Sequence, residues 1–191
     1  MSKNNKAFGG EILRVISGSA RGKKLLCAEG RDIRPTLDRV KESIFNMIAF
    51  DIPDSDVLDL FSGSGALGIE ALSRGAKSAL FVDNSSSSLE ITKKNLEMTH
   101  LLDKATLVKQ DALDFLKNTT HKFDIIFLDP PYESSIYEDI IHEISQRGIL
   151  KPSGILVIEA DNVLTPPFSC EPFKVHRDKK YGRVKILIMK E

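Results

Sequence analysis

The amino-acid sequence predicts an α/β protein: a doubly wound, mostly parallel sheet with an antiparallel C-terminal hairpin, preceded by a small N-terminal β-hairpin and a helix. Three observations predict it. From residue 56 onward, short apolar runs alternate with helical patterns, the signature of βαβ repetition. The run Phe123 to Leu128 is apolar on both faces after Asp124, which suits the buried centre of a parallel sheet. The last two apolar runs are separated only by a short basic turn containing Gly182, which points to a hairpin at the sheet edge.

The elements follow in order. Ile12 to Ile16 and Lys23 to Leu26, joined by a Gly-containing turn, read as a small hairpin carrying Arg14, Arg21, Lys23 and Lys24. Pro35 sits where a helix begins, and Val40, Ile44, Met47 and Ile48 recur at helical spacing, predicting an amphipathic helix from about Thr36 to Phe50. Val57 to Phe61 is the first strand of the main sheet, Ala66 to Arg74 its helix with Gly75 closing it, and Ala79 to Val82 the second strand. Ser87 followed three residues later by Glu90 fits a capping box, so the serines at 85 to 88 are expected to start a helix running towards Met98. A third strand is expected over Ala105 to Lys109, a short helix over Ala112 to Lys117 and a fourth strand over Phe123 to Leu128. A helix around Tyr137 to Gln146, a strand Ile155 to Glu159, and the hairpin strands Lys174 to Arg177 and Val184 to Met189 complete the chain. No internal repeat interrupts this order.

Composition sets outer limits. At 191 residues, with 41% hydrophobic and 28% charged residues, the chain suits one globular domain with small attachments. The division expected is a basic extension over residues 1–35 and a main domain over 36–191. No apolar run approaches the roughly 20 residues that cross a bilayer, and the first ten residues lack the apolar core of a secretory signal, so a cytoplasmic protein without a membrane partner is expected. Cys27 and Cys170 lie far apart with no ligand-spaced neighbour, which predicts reduced thiols and neither a zinc site nor a disulfide. The zero net charge hides an asymmetry: residues 1 to 41 hold ten Lys/Arg against four acids, +6, and the remainder carries −6. A basic segment on an acidic body reads either as a phosphate grip or as a solvated tail.

Two motifs carry chemistry. Gly63-Ser-Gly65-Ala-Leu-Gly68 follows a predicted strand and opens a predicted helix, the setting in which a glycine-rich turn lets a cofactor approach the backbone. Asp83, twenty residues beyond Gly63, ends the second strand, where a carboxylate can accept hydrogen bonds from ribose hydroxyls. This pair suits an adenosine-containing cofactor without separating NAD from S-adenosylmethionine. The second motif, Asp129-Pro130-Pro131-Tyr132 after the fourth strand, separates them. A nucleobase amino group is a poor nucleophile because its lone pair is delocalised into the ring. The Asp129 carboxylate and the Pro130 carbonyl supply two acceptors for its N–H protons and turn the lone pair towards a methyl sulfonium, Pro131 stiffens the turn, and Tyr132 offers a ring on which the base stacks. Direct in-line transfer of this kind needs orientation rather than a metal or a covalent nucleophile. His100, His121, His142 and His176 are scattered and read as ordinary surface or core residues.

The stretch Asp59-Leu-Phe-Ser-Gly-Ser-Gly65, with Asp83, Asp111 and Asp129-Pro-Pro-Tyr132, resembles the class I amino-methyltransferases, whose fold is Rossmann-like. More narrowly, Arg21-Gly-Lys-Lys-Leu25, Arg34-Pro-Thr-Leu-Asp-Arg39 through Phe45-Asn46, and Gly65 to Gly75 resemble the RsmD family, which methylates one guanine N2 in small-subunit (16S) ribosomal RNA. The resemblance runs from about Arg14 to the last strand. It implies S-adenosylmethionine as cofactor, with Gly63 and Gly65 bordering its methionine part, Asp59 near its amino group, Asp83 on the ribose, and Asp111 with Ala112 at the adenine. It also implies 16S ribosomal RNA, naked or in an assembling small subunit, as partner, with Arg21, Lys23, Lys24, Arg34 and Arg39 as RNA contacts. The segment Arg34 to Arg39 suits the methionine carboxylate as well as the RNA backbone. Where the family often has a second acid two residues after the ribose acid, this chain has Ser85.

Rival readings belong to other classes. An NAD-dependent oxidoreductase leaves Asp129 to Tyr132 without a use, a DNA adenine-N6 methyltransferase applies the same chemistry to another base, and a non-enzymatic RNA-binding module leaves the whole crevice without a purpose.

Overall fold

The computed structural model describes residues 13–27, 35–130, 135–161 and 172–191. Its helices are α1 (Pro35–Met47), α2 (Ala66–Ser73), α3 (Ser86–Thr99), α4 (Ala112–Asn118) and α5 (Ser135–Gln146). Its strands are β1 (Asp56–Asp59), β2 (Ser78–Asp83), β3 (Ala105–Lys109), β4 (Phe123–Leu128), β5 (Leu150–Asp161), β6 (Lys174–Tyr181) and β7 (Val184–Lys190). They form a seven-stranded sheet in the order β3-β2-β1-β4-β5-β7-β6. The first five strands run parallel; β7 joins β5, and β6 joins β7, antiparallel. This is the doubly wound α/β fold expected from the sequence.

Alternation along the strands divides the apolar residues between two cores. Val57, Phe81, Ile125, Phe127, Val157 and Ile186 face Val40, Ile44, Phe45 and Ile48 of α1 together with α2 and α3. Leu58, Leu80, Ile126, Leu128, Leu156 and Leu187 face the opposite way, onto Phe115 and Leu116 of α4 and Tyr137, Ile140, Ile141 and Ile144 of α5. Each such side chain stabilises the fold by about 1.5 to 3 kcal/mol on leaving water. The α1 spacing is thus the spacing of a packed stripe; the helix stops at Met47 rather than Phe50, whose side chain is fully exposed.

Residues 13–27 form the expected small hairpin: one antiparallel bridge, Arg14 to Lys24, joins the two runs, with Val15 N–H donating to the Lys23 carbonyl (2.9 Å) and Leu25 N–H to the Leu13 carbonyl (2.7 Å). The turn between them is fastened to α2: Ile16 and Ser17 N–H donate to the Glu70 carboxylate (2.8 and 3.0 Å), Ala20 N–H to Ser73 Oγ (2.9 Å), and Ser19 N–H to the Ser73 carbonyl (2.8 Å). Glu70 is completely buried and compensated by Arg74 (2.8 Å) and Lys41 (3.2 Å), which a buried carboxylate requires. Leu13, Val15, Ala20 and Leu25 complete the α1-side core, so the segment is fastened at both polar and apolar contacts.

Two boundaries moved for local reasons. The cap of α3 is Ser85, whose hydroxyl accepts from Ser88 N–H (3.3 Å), not Ser87, and Glu90 takes no part in it. Strand β5 begins at Leu150, five residues before its first run of alternating apolar side chains, and pairs with Phe123 at a register irregularity.

Candidate active site at the carboxyl ends of the parallel strands

The strand order reverses between β1 and β4, and ligands of open α/β sheets bind outside the carboxyl ends at such a point. Asp59 ends β1 there. It is only 3% exposed, its Oδ2 accepts from Gly68 N–H (3.0 Å), and burial, reinforced by nearby Asp129 and Asp83, pushes its pKa up to about 7. Asp83 ends β2 and is held by two backbone amides, Gly63 N–H on Oδ2 (2.9 Å) and Ser85 N–H on Oδ1 (2.8 Å). The position where the family often has a second acid thus serves both as helix cap and as anchor for the first.

The glycine turn is fixed from beneath by α3. Thr92 Oγ1 donates to the Gly63 carbonyl (3.0 Å) and Asn95 Nδ2 to the Ser64 carbonyl (2.8 Å). Gly65 caps α2 with φ +76°, a conformation that favours glycine, and a Cβ there would lie 2.7 Å from Thr92 Cγ2. A Cβ on Gly68 would enter the Phe81 ring, so that glycine lets α2 lie close on β2. Within the turn, the buried Ser62 hydroxyl has no hydrogen-bond partner among the described residues.

Beyond β3, Asp111 is exposed and caps α4 through Oδ1, which accepts from Leu113 N–H (2.9 Å) and Asp114 N–H (3.3 Å), and Ala112 is buried behind it. On the other side of β1, Asp129 and Pro130 follow β4 directly, the first half-buried and the second buried. Pro131 and Tyr132 lie outside the described residues, as do Arg34 and Cys170. The structure therefore brings Asp59, Gly63, Gly65, Asp83, Asp129 and Pro130 to one edge of the sheet. Arg21, Lys23, Lys24 and Arg39 are exposed, on the N-terminal hairpin and on α1. The four histidines are exposed.

Three residues of this edge escaped the sequence reading. Ser62 stood inside the glycine motif and carried no spacing signal. Asn95 stood out by no motif or spacing, yet it is fully buried. Glu159, near the end of β5, is half-buried, and burial together with Asp129 pushes its pKa up to about 8. The position of Glu159 at the end of the last predicted parallel strand was the available clue.

These residues fit S-adenosylmethionine. A buried carboxyl poised near neutrality gains its natural counter-charge from an α-ammonium, an amide-anchored carboxylate suits a ribose diol, and the orphaned Ser62 hydroxyl has a polar group to meet.

Residues 13–190 match the family model described as conserved hypothetical protein 95. A ribosomal RNA small subunit methyltransferase D of Haemophilus influenzae is 39% identical over 163 residues, covering 82% of this chain and 84% of that protein. The solved structure of yhhF from Escherichia coli, described as a candidate methyltransferase, superposes with a TM-score of 0.85 at 32% identity, covering 95% of this chain and 98% of that one. A more distant chain, SMU.776, a candidate methyltransferase complexed with SAH, shares the fold at 20% identity and a TM-score of 0.70, over 83% of this chain and 50% of its own. With nearly its whole length matched and the strand-end carboxylates and glycine turn in place, this chain belongs to the ribosomal RNA small subunit methyltransferase D family of S-adenosylmethionine-dependent methyltransferases.

Proposed function

We propose that the chain methylates the exocyclic N2 of one guanine in 16S ribosomal RNA, presented naked or within an assembling small subunit. The observation that carries this reading is the Asp129-Pro130 pair at the end of β4, beside the cofactor-type carboxylates of β1 and β2. When bound, S-adenosylmethionine supplies an electrophilic methyl group on a sulfonium. Asp59 and Ser62 hold the amino-acid end, Gly63 and Gly65 admit it to the backbone, Asp83 takes the ribose, and Asp111 with Ala112 borders the adenine.

The Asp129 carboxylate and the Pro130 carbonyl accept the two N–H bonds of the target amine, fix its plane, and leave its lone pair directed at the methyl group. The two prolines fix the backbone and leave the Pro130 carbonyl without a competing donor of its own. Tyr132 stacks on the base, which must first leave any helix it occupies. A group of tuned basicity is not needed before attack, because the nitrogen becomes acidic once methylated. Outside the crevice, Arg21, Lys23, Lys24, Arg34 and Arg39 bind RNA phosphates, residues 1–35 acting as an RNA-contacting extension of a catalytic domain over 36–191. The site of action is the cytoplasm, and no helix among the described residues is long and apolar enough to cross a membrane.

The test is nucleoside mass spectrometry of ribosomal RNA from cells with and without this gene, followed by incubation of the deficient RNA or particles with pure protein and cofactor. Loss and restoration of one N2-methylguanosine is the expected result. An unchanged ribosomal profile with methylated adenine in DNA would transfer the same chemistry to another base.

A further inference from the structure

The charge of the chain is distributed differently from its two-part sum. Residues 42–171 hold ten Lys/Arg against twenty-one acids, whereas residues 172–191 hold seven against two. An acidic body therefore lies between two basic ends, and the second end is the β6–β7 hairpin. Strand β6 is the last strand of the sheet, and every residue from Lys174 to Lys180 is exposed. Among the described residues, the hairpin's ion pairs use only Lys185, with Asp178 (3.0 Å), and Lys190, with Asp51 (3.5 Å). Lys174, Arg177, Lys179, Lys180 and Arg183 form none.

Register assigns these cations to faces. Arg177 lies opposite Ile188, Lys179 opposite Ile186 and Tyr181 opposite Val184, and these partners pack in the core beneath α1. Arg177, Lys179 and Tyr181 thus form a row on the α1 side of the sheet. The row ends at a groove of about 680 Å³ between α1 and the hairpin turn, walled by Arg39, Asn46, Tyr181 and Gly182, with Glu42 the one acid among the described residues that line it. Tyr181 is hydrogen-bonded to Ser43, which fixes that wall. The turn adjoins Val184, opposite Asp161 at the carboxyl end of β5, so the groove opens near the edge that carries the active-site carboxylates. On its other flank α1 is tied to the N-terminal segment through Arg14 and Asp38 (2.9 Å).

We propose that the β6–β7 hairpin and the α1 groove form a second RNA-contacting surface, which seats the single strand flanking the target base. The proposal rests on the ribosomal RNA reading for the identity of the polyanion. Edge protection asks only for charge somewhere on an edge strand, so it does not account for Arg177 and Lys179 standing in one row with Tyr181 that leads into a groove. A row of cations grips phosphates, Asn46 offers an amide to a base edge, and the Tyr181 ring offers a face to a base.

The experiment measures binding of an unmodified 16S ribosomal RNA transcript, at several salt concentrations, to wild type, to Arg177→Gln/Lys179→Gln/Arg183→Gln, and to Arg21→Ala/Lys23→Ala/Lys24→Ala. The hairpin variant is expected to bind several-fold more weakly, with the slope of log affinity against log salt reduced by about 2, from roughly 0.7 per lost single-strand phosphate contact. Unchanged cofactor affinity by calorimetry shows that the variant is folded. Methylation by wild type together with an unchanged slope in the hairpin variant removes the hairpin surface and leaves the enzyme reading intact. A wild type that methylates neither transcript nor immature small-subunit particles removes the reading itself. Weaker binding to particles alone, with the transcript unaffected, assigns the hairpin to a ribosomal protein and likewise overturns the proposal.

Discussion

Strands β1, β4 and β5 lie side by side, and each carries ionisable residues towards both ends, yet the two ends are built on opposite electrostatics. At the amino ends Lys151 bridges Asp56 (2.7 Å) and Asp124 (2.8 Å), while Asp56 N–H donates to Asp124 (2.8 Å) and Ser78 Oγ to Asp56 (2.8 Å). The Lys151 hydrogen bond holds the Asp56 carboxyl below its usual range, and the two aspartates hold the Lys151 ammonium above its own. At the carboxyl ends stand Asp59, Asp129 and Glu159. Burial and like charge raise Asp59 and Glu159, and no cation contributes to either shift. The amino end pairs its carboxylates with a cation, whereas at the carboxyl end Asp59 and Glu159 are raised with no cation acting on either, which suits a ligand that brings cations and N–H donors. Such an imbalance destabilises the folded chain and persists where chemistry uses it.

The sharpest way to break this comparison is Asp129→Ala. If the open end serves the acceptor amine, methyl transfer falls by on the order of a hundredfold or more, the scale of deleting one preorganised polar contact to a reacting group, while cofactor binding survives. Near-normal single-turnover rates would return Asp129 to a structural part. Next in size is Asp59→Asn, which removes the charge that meets the cofactor's ammonium and should weaken cofactor binding about tenfold, the cost of one charge-assisted hydrogen bond. Wild-type affinity should also rise with pH through about 7, as Asp59 gives up its proton, and the variant should lack that rise. The same raised pKa has a stability consequence of definite sign. The folded protein keeps protons on Asp59 and Glu159 that the unfolded chain releases near 3.8 and 4.5, so the unliganded protein loses stability as pH rises from there towards 7 and 8. Asp56 acts oppositely, its contribution being present above the ordinary carboxyl range and lost as pH falls. Thermal unfolding of wild type and Asp59→Asn at pH 6 and pH 8 measures the difference, and equal losses in both proteins would refute it. The smallest effect belongs to the other end: Lys151→Met should cost about 1 kcal/mol, since the triad is partly solvated, and leave turnover per folded molecule unchanged.

What was legible in the sequence follows the same division. The bounds of β3 and β4 were read correctly because polar or turn residues bracket short apolar runs on both sides. The glycine turn, Asp83 and Asp129 were legible because their chemistry is written in adjacent residues. The N-terminal hairpin was legible from its two apolar runs and glycine turn, but its attachment was not, because Ile16 and Ala20 N–H donate to Glu70 and Ser73, more than fifty residues away, and no local pattern announces such partners. The cap lies at Ser85 because Asp83 Oδ1, two residues back, accepts its N–H, a local choice among four adjacent serines that their spacing to Glu90 does not show. The basic hairpin vanished into a sum over the whole remainder of the chain. Asn95 and Ser62 matter through burial, which a single sequence does not display.

Asn95 has a consequence for how this chain can change. Its Oδ1 accepts from Leu26 N–H (2.7 Å), and its Nδ2 donates to the Leu26 carbonyl (2.9 Å) and to the Ser64 carbonyl (2.8 Å). Aspartate in its place would keep the acceptor and lose both donations, and leucine of similar size would lose all three. No other side chain of that length carries an acceptor and a two-hydrogen donor together. The N-terminal segment is therefore not a detachable module that recombination can replace alone. A graft ending at residue 27 must inherit the Leu26 backbone geometry that residue 95 reads, or it slackens the glycine turn on the far side of that amide.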